Sequence, residues 1–213
     1  MIGVIIPDRG DRPKFLANCK RMIAAQSIAP DQIILVSDKP INKVPDLTKR
    51  IREGFEFAKD IGCDVILIME NDDFYHVDYI ATMLKEWKIA GRPDIFGTSS
   101  TVYYHVLKRQ FKKLDHPKRA SLMNTLIKCD AQINWPNDEE IFLDLNIWKQ
   151  LKGKTFEPGF MISMGIKHGQ GLCGGRGHSS MIYNNDDPNW EYLKNNIDPE
   201  SFEFYYSIAL ELK

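Results

Sequence analysis

The chain has 213 residues, 43% of them hydrophobic and 27% charged, with a formal net charge of −1; this is the balance of one sizeable globular domain, expected over 1–213. A near-neutral charge excludes whole-molecule attraction to nucleic acid or an anionic membrane, leaving only local patches. Four scattered cysteines (Cys19, Cys63, Cys129, Cys173) with no CxxC pair fit neither a disulfide framework nor a zinc site, and no apolar run approaches the roughly 18 residues of a membrane helix, so a soluble, cytoplasmic protein without a membrane span is expected.

The N-terminus lacks the basic region and cleavage site of a signal peptide. Residues 2–6 read as a first strand, ended by Pro7. Helical spacing follows over 14–26, with Phe15, Leu16, Cys19, Met22 and Ile23 in register. Residues 32–36 form a second strand that ends at Ser37-Asp38, and 39–46 a proline-bearing loop. An amphipathic helix is expected over 47–61, with Ile51, Phe55, Ala58 and Ile61 near one face. Residues 65–69 are a third strand and 77–89 the next helix. The first ninety residues thus alternate strand and helix, which predicts a parallel sheet with right-handed crossovers. Beyond them the pattern loosens. Strands are expected at 94–97, 101–107 and 161–167, a strand and a helix within 121–130 and 139–150, and helices at 189–194 and 199–213.

Chemistry concentrates at the strand ends. The run Val65 to Met69 is apolar throughout, as in a strand buried on both faces, and leads directly into Glu70-Asn71-Asp72-Asp73. Carboxylates end such a strand because burying an unpaired charge is costly, which places them at the C-terminal sheet edge where open α/β sheets bind ligands. Clustered carboxylates call for a cation, and Mg²⁺ or Mn²⁺ prefer oxygen ligands. N-capping of the following helix by Asp72 or Asp73 is the plainer alternative, but it accounts for one acid rather than three. The other strand ends carry Pro7-Asp8-Arg9-Gly10-Asp11-Arg12 and Asp38. Arg9 and Arg12 suit phosphates, and Asp8 or Asp11 a base or ribose; the alternative is a charged loop with Asp11 as a helix cap.

A strand ending in Pro with an Arg-bearing loop, a strand ending in Asp, Arg52-Glu53-Gly54 within a helix, and an apolar strand running into Glu-Asn-Asp-Asp together resemble the GT-A glycosyltransferases, especially the family 2-like group. The resemblance covers the first ninety or so residues. Two positions depart from that pattern: Glu70 stands where Asp is usual and Arg52 where Asn is common. The resemblance implies an α/β fold of GT-A (Rossmann-like) type, a three-layer α/β/α sandwich with a mostly parallel central sheet, whose 1–92 half binds nucleotide and whose 93–213 half binds acceptor. It further implies that Pro7, Asp8, Arg9 and Asp38 line the nucleotide pocket, with Arg52 on a phosphate, and that Asp72 and Asp73 hold Mn²⁺ or Mg²⁺ on the donor diphosphate with Glu70 close to nucleotide or metal.

An inverting transfer needs an acceptor-side carboxylate. Asp138 or Glu139, in Asn137-Asp138-Glu139-Glu140, is the candidate base; the alternative is that these acids oppose a helix dipole. His168 and His178 flank a glycine-rich loop, 169–177, and either suits the late metal-ligand histidine of the resembled family, while Arg176 would neutralise leaving-group charge. These glycines are not a dinucleotide fingerprint, since no βαβ unit surrounds them. The basic stretch 108–119 is by default a solvated face, with a polyanionic acceptor such as modified DNA as the sharper reading. The expected function is metal-dependent transfer of a sugar from a nucleotide-sugar donor, UDP-linked, to an acceptor hydroxyl on a glycan or DNA. The rivals are a sugar nucleotidyltransferase, for which the 7–12 loop is too short, and a non-enzymatic nucleic-acid-binding module built on 108–119.

Overall fold

The computed structural model describes residues 1–37, 45–169 and 181–212. β1 (Ile2–Asp8) pairs in parallel with both β2 (Gln32–Ser37) and β3 (Val65–Ile68). Side chains alternate across a strand, and here the alternation feeds two cores. Val4, Ile6, Val65 and Leu67 face one layer, containing Phe15, Cys19, Met22 and Ile23 of α1 (Pro13–Ala24). Ile5, Ile66 and Ile68 face the other, against Ile51, Phe55 and Ala58 of α2 (Leu47–Asp60). A strand apolar at every position is what such a doubly covered sheet demands. α1 begins with Pro at its first position, where the missing N–H is no loss. Gly54 lets α2 lie close on the sheet: a Cβ there would stand 2.8 Å from Ile5 Cγ2 and 3.2 Å from Val36 Cγ2.

The six-stranded central sheet has the order β2-β1-β3-β8-β5-β9, with β5 (Ile95–Thr98), β8 (Thr125–Lys128) and β9 (Gly153–Phe156) completing it. It is mostly parallel; β8 alone runs antiparallel to its neighbours β3 and β5. Helices on both faces make this the expected three-layer α/β/α arrangement. A second sheet, of order β11-β7-β6-β10-β4, is built from β4 (Phe74–Tyr75), β6 (Ser100–His105), β7 (Gln110–Asp115), β10 (Ser163–Lys167) and β11 (Asn185–Asp186). The remaining helices are α3 (Tyr79–Ile89), α4 (Leu143–Gln150), α5 (Glu191–Asn196) and α6 (Pro199–Glu211).

Strands β4, β9 and β11 carry no sequence signal: two to four residues long, they lie at sheet edges and owe their form to pairing rather than to patterning. The basic stretch is largely a strand, β7, hairpinned on β6. The capping alternative for Asp72 and Asp73 is excluded, since β4 intervenes and α3 begins only after Asp78. Asp11 is no cap either: the residue before α1 is Arg12, and no side chain caps that helix.

Candidate functional site

The C-terminal ends of β1 and β3 meet in a buried polar network. Asp8, 2% exposed, accepts on Oδ1 from Asn71 Nδ2 at 2.6 Å, and on Oδ2 from the Gly10 N–H at 3.0 Å and the Ser37 hydroxyl at 2.7 Å. Its carbonyl accepts from Arg50 Nη1 at 2.5 Å, and the same guanidinium pairs with Asp46 at 2.5 Å. Asp8 therefore ties together the first loop, the end of β2 and the acidic loop. Arg9 pairs with Asp11, while its Nε and Nη1 are buried without a partner among the described residues. Such donors are rare in proteins and suit an anionic ligand at this edge.

Arg12 reaches into the acidic loop. Its Nη1 donates to Asp72 Oδ2 at 2.6 Å and its Nη2 to Asn71 Oδ1 at 2.9 Å. His168, fully buried and packed on Phe15 with ring centroids 4.6 Å apart, places Nε2 3.1 Å from the same Asp72 oxygen. Burial alone would raise the Asp72 carboxyl, but the charge of Arg12, then the His168 contact and Lys167, outweigh it and hold the group well below the usual carboxylate range. Asp73 takes the Ile166 N–H on Oδ1 at 2.7 Å, and Lys167 Nζ lies 3.8 Å from that oxygen. Burial raises the carboxyls of Glu70 and Asp73, each also pushed up by neighbouring acids and drawn down by Lys167. Lys167 is desolvated too, yet Asp73, Asp72 and Glu70 more than compensate and raise its affinity for its proton.

Glu70, Asp72 and Asp73 each offer an oxygen within 4.8 Å of the others. Asp73 Oδ2 is buried with no partner among the described residues, and the carboxyls of Glu70 and Asp73 stay raised because Lys167 does not fully offset their burial and mutual repulsion. An all-oxygen donor set with an orphaned carboxylate oxygen fits a hard divalent cation. Beside it opens a pocket of about 330 Å³, bounded by Glu70, Asp73, Lys167, Arg119, Asp144 and Phe142 among others. Asp144, in the first turn of α4, pairs with Arg119 at 2.5 Å; burial nonetheless leaves its carboxyl raised.

The sequence-predicted residues divide accordingly. Asp8, Arg9, Glu70, Asp72, Asp73 and His168 belong to this connected edge, with Pro7 next to Asp8 in β1. Arg52 instead forks onto Asp138, Nη1–Oδ1 at 2.5 Å and Nη2–Oδ2 at 3.2 Å. Asp138 is partly exposed and Glu139 exposed, and neither bounds the pocket. Their loop is strapped to α2 by that pair, by the Thr48 hydroxyl on the Glu140 carbonyl at 2.7 Å, and by Phe55 edge-on to Trp135 at 5.5 Å. Asp38, Arg176 and His178 lie outside the described residues. Sequence reasoning missed Lys167 and Asp144. The signals were present: a lysine ending an otherwise uncharged strand beside His168, and an acid in a first helical turn. The basic stretch is dispersed rather than continuous. Lys108 lies over Tyr183 at 5.4 Å, Arg109 donates to the Pro188 carbonyl at 2.8 Å, Lys113 pairs with Glu157 at 2.7 Å, and Arg119 turns inward to Asp144.

No protein-family model and no curated protein sequence matches the chain. Among solved structures, S. aureus TarS 1–349 in complex with UDP-GlcNAc matches with a TM-score of 0.55 at 10% identity, over 85% of this chain and 61% of that one. The UDP complex of TarS 1–349 matches at 0.52 and 9%, over 78% and 60%. A197 from STIV matches at 0.48 and 14%, over 73% and 81%. The chain spans about six tenths of the TarS 1–349 length. No helix of the described residues is long and apolar enough to cross a membrane. The architecture is a GT-A-like fold.

Proposed function

We propose that this chain transfers a sugar from a nucleotide-sugar donor, UDP-linked, to an acceptor hydroxyl. The observation that carries the reading is the oxygen triad Glu70, Asp72 and Asp73 at the C-terminal edge of β3, in a fold whose matched TarS structures hold UDP-GlcNAc and UDP. The 1–92 half would bind nucleotide and the 93–213 half the acceptor. In this reading Asp8 shapes the edge against which the nucleotide lies, and the unpartnered Arg9 donors meet its phosphates. Glu70, Asp72 and Asp73 would hold Mn²⁺ or Mg²⁺, with His168 behind Asp72. Such an ion, when bound, offsets the charge of a departing diphosphate.

The acceptor is bound from the opposite side, in the pocket bounded by Glu70, Asp73 and Asp144. A carboxylate there takes the hydroxyl proton as the new bond forms, and a single displacement inverts the anomeric centre. Asp144 is the better-placed base because it bounds the pocket. Asp138 serves only if the Arg52 fork opens, and Arg52 meets a phosphate only under the same condition; Glu139 is exposed and away from the pocket. The dispersal of the basic stretch favours a glycan acceptor over DNA.

Calorimetric titration with UDP, GDP and CDP, with and without Mn²⁺, tests the donor, followed by a hydrolysis screen across nucleotide sugars. The expected result is Mn²⁺-dependent binding of UDP and slow hydrolysis of one UDP-sugar. Absence of binding by any nucleotide diphosphate with Mn²⁺ present removes the reading.

A further inference from the structure

Two cations of the protein itself already sit against the acid triad. The Arg12 guanidinium donates to Asp72 at 2.6 Å, and the Lys167 ammonium, its side chain only 6% exposed, faces Asp73 at 3.8 Å and lies 5.4 Å from the Tyr103 ring centre. Arg12 is fixed by a second hydrogen bond to Asn71, and its side chain is 13% exposed. Lys167 differs: Asp73 Oδ1 stands beyond hydrogen-bond distance and already accepts from Ile166, so the lysine contributes charge rather than a bond. Once all three acids are ionised, as cation ligands must be, three carboxylates against these two cations leave one negative charge for a divalent ion to meet.

We propose that Lys167 is a charge gate that keeps the triad's affinity for a divalent cation low until a nucleotide diphosphate supplies the missing negative charge, so that cation and nucleotide bind together rather than in turn. This rests on the nucleotide-sugar reading of the site. The physical reason is Coulombic: a buried ammonium a few ångströms from the ligand oxygens repels an incoming dication in a medium that screens poorly. A diphosphate adds negative charge and oxygen ligands at once, which reverses the balance. Each ligand then raises the affinity for the other by the same factor. Tyr103 suits the arrangement, since its ring face holds the ammonium in place without neutralising it.

The test is Mn²⁺ binding, read by calorimetry and by the loss of the free-ion electron paramagnetic resonance signal, on the full chain with and without UDP. Wild-type protein is expected to bind Mn²⁺ weakly alone and at least roughly tenfold more tightly with UDP. Lys167→Met is expected to bind Mn²⁺ alone roughly tenfold or more tightly than wild type, and to lose most of the UDP coupling. Lys167→Arg, which keeps the charge, is expected to behave as wild type. Circular dichroism establishes that each variant folds. Wild type binding Mn²⁺ equally well with and without UDP overturns the proposal, even where Lys167→Met fails to fold. Unchanged or weaker Mn²⁺ affinity in folded Lys167→Met overturns it too. Should UDP bind no variant, the glycosyltransferase reading fails, while the Mn²⁺ affinities measured without nucleotide still decide whether Lys167 opposes the cation.

Discussion

At the scale of single residues, Asp72 and Asp73 are adjacent in the sequence but have different surroundings. Asp72 is the anion of a buried pair with Arg12; Asp73 keeps one oxygen without a partner among the described residues. Removing one member of a buried pair strands the other charge and costs about 3–5 kcal/mol. Asp72→Ala is therefore expected to lose stability of that order in chemical denaturation as well as Mn²⁺-dependent UDP binding. Asp73→Asn keeps an acceptor for the Ile166 N–H and is expected to lose the metal-dependent binding with a distinctly smaller stability loss. The acceptor-side base separates in the same way. Asp144→Asn should lower hydrolysis of the accepted UDP-sugar by about 10²–10⁴-fold with UDP affinity unchanged, whereas Asp138→Asn should leave that rate within a few-fold. A reversed order in the measured rates would return the role to the 138–139 pair. The acids at 70–73 were legible from sequence because an apolar strand running into carboxylates is a local pattern. Asp144 was not, because acids in a first helical turn are common and only the fold shows which one faces a pocket.

At the scale of elements, the contact between α2 and the sheet depends on Gly54. The Cβ of a larger residue would enter the space of Ile5 and Val36, both on strands that cannot yield without disturbing the sheet. Gly54→Val is expected to cost about 1–3 kcal/mol by overpacking, read as a lower denaturation midpoint at an unchanged slope. The sequence placed Arg52-Glu53-Gly54 in a helix and gave its arginine a ligand role. In the structure Arg52 and Thr48 anchor the 135–142 loop on α2, and Gly54 seats the helix. Strands β1, β2, β3, β6 and β10 were readable because their apolar runs exceed what turns tolerate. Strands β4, β9 and β11 were not, since so short a segment is a strand only through its neighbour.

For the whole molecule, acid stability has an identifiable contribution from His116. Burial, then the charge of Arg119, lowers its pKa from the ordinary 6.5 to about 4. The unfolded chain therefore binds this proton first as the pH falls. Stability contributed by the neutral imidazole is complete above about 6.5, declines down to about 4, and falls no further from this cause below it. His116→Gln is expected to flatten the fall of unfolding free energy between those limits, measured by denaturant titration at a series of pH values. An unaltered slope would assign the acid sensitivity elsewhere.

The alternation of β1, α1, β2, α2, β3 and α3 over the first ninety residues, the doubly buried central strands and the acidic edge of β3 were all determined by the sequence alone, because hydrophobic period and the cost of buried charge act over a few neighbouring residues. What the acids meet was decided only by the tertiary structure. Arg12 lies 60 residues from Asp72, and His168 lies 96. Lys167 arrives on β10 of the second sheet, and Asp144 in the first turn of α4. Such pairings follow from the docking of one sheet beside the other, and no local pattern encodes a distance between elements so far apart in the chain.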